Sequence, residues 1–136
     1  MPEPSAVVAE LVLIEHADNL TTLDLGALGS SIGDLQVWGP NPLFDATDIT
    51  DTGATTQGSC IALNAAFDCL TAETIIFPDG STLQIQGAES SAAVSTRTIV
   101  GGSGMYLGAI GTVSVEPADD QTRWTKTFQI VLLDSQ

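Results

Sequence analysis

Gly101-Gly102-Ser103-Gly104-Met105-Tyr106-Leu107-Gly108-Ala109-Ile110-Gly111-Thr112-Val113 is the stretch on which the fold turns. Glycine loops are common, and one that cradles phosphate must open a helix. Here the extended run Ala92 to Val100 leads in, and Met105 to Leu107 and then Thr112 to Val115 lead out, so the glycines join strands. Beyond them Pro117 to Gln121 is a turn, and Trp124 to Leu133 is a closing strand with Trp124 and Phe128 on one face. Upstream, Ser81 to Gln86 alternates, Leu83 and Ile85 against Thr82, Gln84 and Gln86, which is the period of a half-buried strand. Pro78-Asp79-Gly80 before it carries strong turn chemistry. Thr55 to Asn64 and Phe67 to Phe77 read as a hairpin around Asn64-Ala65.

Further upstream, Leu43 to Gly53 reads as a strand end and an acidic surface loop. Gly33 to Trp38 is a short strand that ends at Gly39-Pro40-Asn41-Pro42, and Val7 to Glu15 is an apolar first strand. Asp18 to Ile32 is ambiguous, with Leu20, Leu23, Leu25 and Leu28 spaced to pack over a barrel end. Helix signals are nearly absent. Seven or eight short strands with short connections make an all-β chain, a barrel or a sandwich.

The length of 136 residues fits one domain, residues 1–136. Seventeen acidic residues face three basic ones, Arg97, Arg123 and Lys126. Nucleic-acid binding needs Lys and Arg to neutralise phosphates, so it is excluded. Anionic membrane surfaces and phosphorylated substrates are disfavoured for the same reason. The acidity itself is explained by solubility or a saline habitat. No stretch approaches the ~20 apolar residues of a membrane span. The polar start, Met1 to Ser5, has no basic region of the kind that opens a signal peptide, which leaves a cytoplasmic protein or a mature form whose leader was removed. Cys60 and Cys69 form neither a CxxC pair nor a zinc pattern, and a lone histidine, His16, cannot complete a metal site. No metal and no cofactor is expected.

The glycine-rich stretch resembles the GGSGxYxGxxGxV segment of the allene oxide cyclase barrel superfamily, which includes plant dirigent proteins and bacterial spirotetronate-forming cyclases. Other pieces follow in that family's order. Gly33-Asp34-Leu35 and Asn41-Pro42-Leu43-Phe44-Asp45 are similar to its GDL…NxLYD, Gly58-Ser59-Cys60 to its GxC strand, and Gln86-Gly87 to its QG. The resemblance covers residues 33–116. It implies a closed eight-stranded antiparallel β-barrel with an apolar central cavity, assembling as a homodimer or homotrimer. It also implies an apolar small-molecule substrate, folded inside the barrel so that a ring can close. Where plant allene oxide cyclases have a tyrosine before the GGSG segment, Val94 to Val100 has none, which argues against the plant reaction.

Several side chains are candidates for that chemistry. A hairpin centred on Asn64-Ala65 puts Cys60 and Cys69 opposite each other, as a disulfide, as two buried thiols or as a reactive thiol. A bridge would favour export, free thiols the cytoplasm. Glu73 lies on the Cys69 face, and if that face points inward it is a buried carboxylate with a raised pKa. If the face points outward, Glu73 is merely wet. Arg97 points inward, to pair with Glu73 or to hold a substrate's carboxylate or carbonyl oxygen, or it faces solvent and balances surface acids. Glu15 falls where plant allene oxide cyclases carry a functional carboxylate, with an exposed strand-end acid as the plainer reading, and His16 is read as a surface residue. Tyr106 follows the glycine turn as packing or as a polar group. Trp124, Phe128, Trp38 and Phe44, with Cys60 and Met105, are candidate substrate walls or core. Together they suggest a cofactor-free cyclase or isomerase, including a Diels–Alder-type polyketide cyclisation. A dirigent-type protein that orients intermediates made elsewhere, or a ligand-binding barrel with no reaction, would use the same fold.

Overall fold

The computed structural model describes residues 6–133. Nine strands follow in order: β1 Ala6–His16, β2 Leu20–Leu23, β3 Leu35–Phe44, β4 Asp51–Ala62, β5 Cys69–Ile76, β6 Thr82–Glu89, β7 Ser95–Ser103, β8 Ile110–Pro117 and β9 Arg123–Leu133. From β3 to β9 each strand pairs antiparallel with the next, and β9 pairs with β1 from His16 opposite Arg123 to Ala6 opposite Leu133. The cylinder closes where β1 meets β3, through Ile14 opposite Phe44 and Glu15 opposite Leu43. Eight strands form the barrel, and β2 adds a short lip to the free end of β3. Met1 to Ser5 lies outside the described residues.

Period-2 alternation turns one face of each strand inward. On β5, Cys69, Thr71, Glu73 and Ile75 are buried, while of the alternate residues Leu70, Ala72 and Ile76 are exposed and Thr74 is half-buried. On β7, Ser95, Arg97 and Ile99 point in. The half of the barrel nearest the β5–β6 turn is packed solid by Leu13, Leu43, Ile75, Leu83, Ile85, Ile99, Val113, Phe128 and Ile130. Each such fully buried side chain is worth roughly 1.5–3 kcal/mol relative to exposure. Phe77 and Tyr106 plug this end, their ring centroids 4.8 Å apart. The outward residues of β4 to β7 from Thr55–Ile61, Leu70–Ile76, Thr82–Ala88 and Thr96–Val100 include no charged side chain.

Four local expectations are corrected. The strand expected to end at Trp38 runs on to Phe44, because β3 absorbs Gly39 and a cis Gly39–Pro40 bond in a register shift between Trp38 and Asn41. The β4–β5 register sets Cys60 opposite Thr71 and Cys69 opposite Ala62, so the cysteines are diagonal neighbours rather than directly opposed. The connection spans residues 63–68, with Phe67 in the left-handed region and Asn64 bonded to Asp68. Met105 lies not in a strand but in a single 3-10 turn, Gly104–Tyr106. Leu20, Leu23, Leu25 and Leu28 do not pack together over a barrel end: all are exposed, Leu28 is 99% so, and only Leu20 reaches the rim of the open end. The segment is instead pinned by Asp34, whose carboxylate accepts from Leu25 N and Ser31 N, at 2.9 Å each.

Candidate active site

Above the packed half, the interior turns from apolar to ionic. Glu73 on β5, Arg97 on β7, Lys126 on β9 and Glu15 on β1 all point inward and are at most 5% exposed. Arg97 Nη2 donates to Glu73 Oε1 at 2.6 Å. Lys126 Nζ bridges the two carboxylates, 2.9 Å from Glu73 Oε2 and 3.1 Å from Glu15 Oε1. Thr56 Oγ1 donates to Glu73, and Asn41 Nδ2 donates to Glu15 Oε2 at 2.8 Å. Asn41 is itself held by Asn19 N, 2.8 Å from its Oδ1.

Burial penalises every charge here, and the neighbours decide the outcome. For Glu73 burial pushes the pKa up, but Lys126 and Arg97 outweigh it and hold the carboxyl down at about 2. For Glu15 burial dominates: Lys126 opposes it, Glu73 adds to it, and the net pKa is raised. Burial lowers Lys126, but the two carboxylates raise it further, so the ammonium stays charged. The cluster thus holds one carboxyl that stays ionised and one that is drawn toward its neutral form, a difference of the kind that separates acid from base roles.

Glu15, Lys126 and Asn41 floor a cup of about 170 Å³ at the open end of the barrel. Trp38, Trp124, Phe67, Leu20 and Ala17 contribute its apolar lining, and Cys69, Glu89, Ser90, Ser91, Gln36 and Gln121 complete it. Gly58 gives Trp38 its place: a Cβ there would sit 2.8 Å from Trp38 Cζ2 and 2.4 Å from the Ala72 carbonyl. Cys60 and Cys69 are joined by a disulfide, Cα atoms 5.5 Å apart.

The structure therefore brings Glu15, Glu73, Arg97, Trp38, Trp124 and the Cys60–Cys69 pair to one end of the barrel. Glu15, Trp38, Trp124 and Cys69 line the cup, while Glu73 and Arg97 lie under its floor. Phe128 belongs to the packed core, fully buried. Phe44 stacks on His16, centroids 3.7 Å apart, outside the cup. His16 is half-buried and holds Asp48 at 2.5 Å rather than standing free on the surface. Tyr106 and Met105 sit at the plugged end, with Met105 65% exposed. Lys126, Asn41, Thr56 and Phe67 were not singled out from sequence. For Lys126 the signal was present, since a strand that turns Trp124 and Phe128 to one face must turn Lys126 there too.

The site thus sits in the mouth of a closed eight-stranded antiparallel barrel, packed at one end and cupped at the other. No protein-family model matches the chain, and no curated protein matches it. Among solved structures it is similar to a pyocyanin demethylase, with TM-score 0.74 and 19% identity over 91% of this chain and 99% of that one. It is also similar to a pterocarpan synthase dirigent protein, with TM-score 0.73 and 18% identity over 96% and 97% of the two chains. A Diels Alderase from Streptomyces koyangensis matches with TM-score 0.69 and 20% identity over 93% of this chain, which spans 64% of that protein's length. These likenesses are of fold.

Proposed function

We propose that this protein is a cofactor-independent cyclase or isomerase that seats the reacting end of a largely apolar substrate in the cup and closes a ring there. The observation that carries the reading is the floor: an ammonium, Lys126, between two buried carboxyls of opposite protonation preference, beneath two indoles. A dry cavity of about 150 Å³ holds a benzene ring. The cup accordingly takes one ring-sized group, and the remainder of a longer chain lies over the lip at Leu20. Lys126 donates to a substrate oxygen as negative charge builds on it, and Glu15 gives or receives the proton that the rearrangement moves. Ordering against Trp38 and Trp124 supplies the entropic part of the acceleration. Similarity to a Diels Alderase supports ring closure as the reaction. The bridged cysteines support residence in an oxidising compartment. The uncharged outer face of β4 to β7 supports assembly into a homodimer or homotrimer, since a chain of net charge −14 repels its copies elsewhere.

Cyclisation and isomerisation conserve mass. Incubating the unreduced protein with small-molecule extract from its own host should therefore convert one compound into a product of identical mass and different chromatographic retention. Glu15→Gln and Trp38→Ala should each abolish the conversion. Similarity to pterocarpan synthase dirigent proteins over nearly the whole chain favours the second reading, orientation of an intermediate made elsewhere. In that case the protein alone turns nothing over, and product changes only when an oxidase is added. No conversion and no retained compound in native mass spectrometry would count against both.

A further inference from the structure

The chain has three basic side chains, and each is already taken. Arg97 pairs with Glu73, Lys126 with Glu15 and Glu73, and Arg123 with Asp48. Glu89 is left over. It is the last residue of β6 and stands opposite Cys69 of β5. Directly opposed residues share a face, and Cys69 is buried inward, so the Glu89 carboxylate is turned into the cup that both line. There it is half-buried, with one hydroxyl, Thr71 Oγ1 at 3.3 Å, and no ion pair among the described residues. The rings of Trp38, Trp124 and Phe67 line the same cup, and the negative face of an aromatic ring attracts cations. Asp68, next to Phe67, brings a further carboxylate to this end, where it accepts from Ser91 N at 3.1 Å.

We infer that the cup takes a ligand carrying an organic ammonium group, which Glu89 holds at the rim among the aromatic rings. The inference rests on the cup being the binding site, as proposed above, and names the charge of its occupant. The reason lies in what filling the cup does to Glu89. A half-buried carboxylate keeps its water only until a ligand covers it, and a buried charge is costly unless it is paired. No basic side chain of this chain is free to pair it. A neutral occupant therefore leaves Glu89 bare, and an anionic one meets it with like charge. An ammonium repairs the loss with a charge-assisted hydrogen bond. Lys126 does not cancel this preference, because its own ammonium is held between Glu15 and Glu73, at 3.1 and 2.9 Å. The net charge of −14 draws cations toward the protein before contact. The substrate is then read at two depths, an oxygen at the Lys126 floor and an ammonium at the Glu89 rim.

The probes are benzylammonium, neutral benzyl alcohol and anionic benzoate, one ring with three charges, titrated calorimetrically and by tryptophan fluorescence at pH 7. Benzylammonium should bind about ten-fold tighter than benzyl alcohol, which is about 1.4 kcal/mol, and benzoate weakest of the three. Added salt should narrow the gap between the first two. Glu89→Gln should bring benzylammonium down to the level of benzyl alcohol and leave benzyl alcohol where it was, the latter showing that the cup of the variant is intact. Equal binding of benzylammonium and benzyl alcohol, preference for benzoate, or a gap that survives Glu89→Gln would overturn the ammonium site while leaving the cup as a ligand site. Absence of binding by all three, with no change in tryptophan fluorescence, would remove the cup reading and the inference with it.

Discussion

Replacing Lys126 with methionine keeps an unbranched apolar stem one atom shorter and removes the charge that sits between Glu15 and Glu73. Glu73 retains Arg97 at 2.6 Å and Thr56, so its ionised form still has partners. Glu15 retains only Asn41, at 2.8 Å, and still faces the negative charge of Glu73. Breaking a buried ion pair by removing one partner costs about 3–5 kcal/mol, because the other charge is left buried. Glu15 limits that cost by protonating, at an expense that grows as pH rises above its unfolded pKa. A carboxyl with a folded pKa above its unfolded one contributes stability at low pH and loses it as pH rises through the folded value. Lys126→Met should therefore lose about 3–5 kcal/mol at pH 7 and clearly less at pH 5, and the double variant with Glu15→Gln should recover much of the pH 7 loss. Urea unfolding at the two pH values, followed by circular dichroism, reads the difference. Against a total stability of about 5–15 kcal/mol the effect is large. A loss equal at both pH values, or no rescue by Glu15→Gln, would refute the idea that Lys126 restrains the upward shift that burial imposes on Glu15.

Glu73 carries the opposite sign: its carboxyl is held at about 2 against an ordinary 4.5. The stability it contributes, on the order of 3 kcal/mol, should be lost as pH falls through that window, and Glu73→Gln should show a flatter acid-unfolding slope between those values. Converting Cys60 and Cys69 together to alanine should cost about 2–3 kcal/mol by the loop-closure argument, seen as a fall in Tm that matches the effect of reductant on the wild type; no fall in either would remove the bridge from the stability of the fold. Gly58→Ala forces a Cβ to 2.8 Å from Trp38 Cζ2 and should cost about 1–3 kcal/mol and alter the near-ultraviolet signal of the indole. An unchanged spectrum would show that Trp38 does not rest on Gly58.

The alternation of Ser81 to Gln86 and Trp124 to Leu133, and the glycine segment between strands, were legible because period 2 survives in any half-buried strand. What could not be read locally was register. The hairpin centred on Asn64-Ala65 is off by one position because Phe67 and the Asn64–Asp68 bonds lengthen the connection on one side. The Cys60–Cys69 bridge forms nonetheless, since diagonal neighbours lie within reach. Leu20 to Leu28 looked like a cover by composition, but only Leu20 reaches the cup, and the Asp34 hydrogen bonds to Leu25 and Ser31 go with leucines left exposed beyond it. Glu15, Glu73 and Arg97 each had a plainer surface reading, which is the usual fate of a lone charge. They are inward because they satisfy one another with Lys126, and that pairing joins four strands far apart in sequence.

The pairing of β1 with β9 also orders events during synthesis. As the chain emerges from a ribosome, β3 to β8 can zip together strand by strand, and Glu73 and Arg97 can meet within that growing meander. β1 appears first yet has only Ile14 and Glu15 to set against β3, so it waits for β9 before it finds its long partner. Lys126 arrives on that same strand. Glu15 and Lys126 are thus brought into the barrel by the closing step itself, and a nascent chain still short of β9 has neither the cup floor nor the cylinder around it.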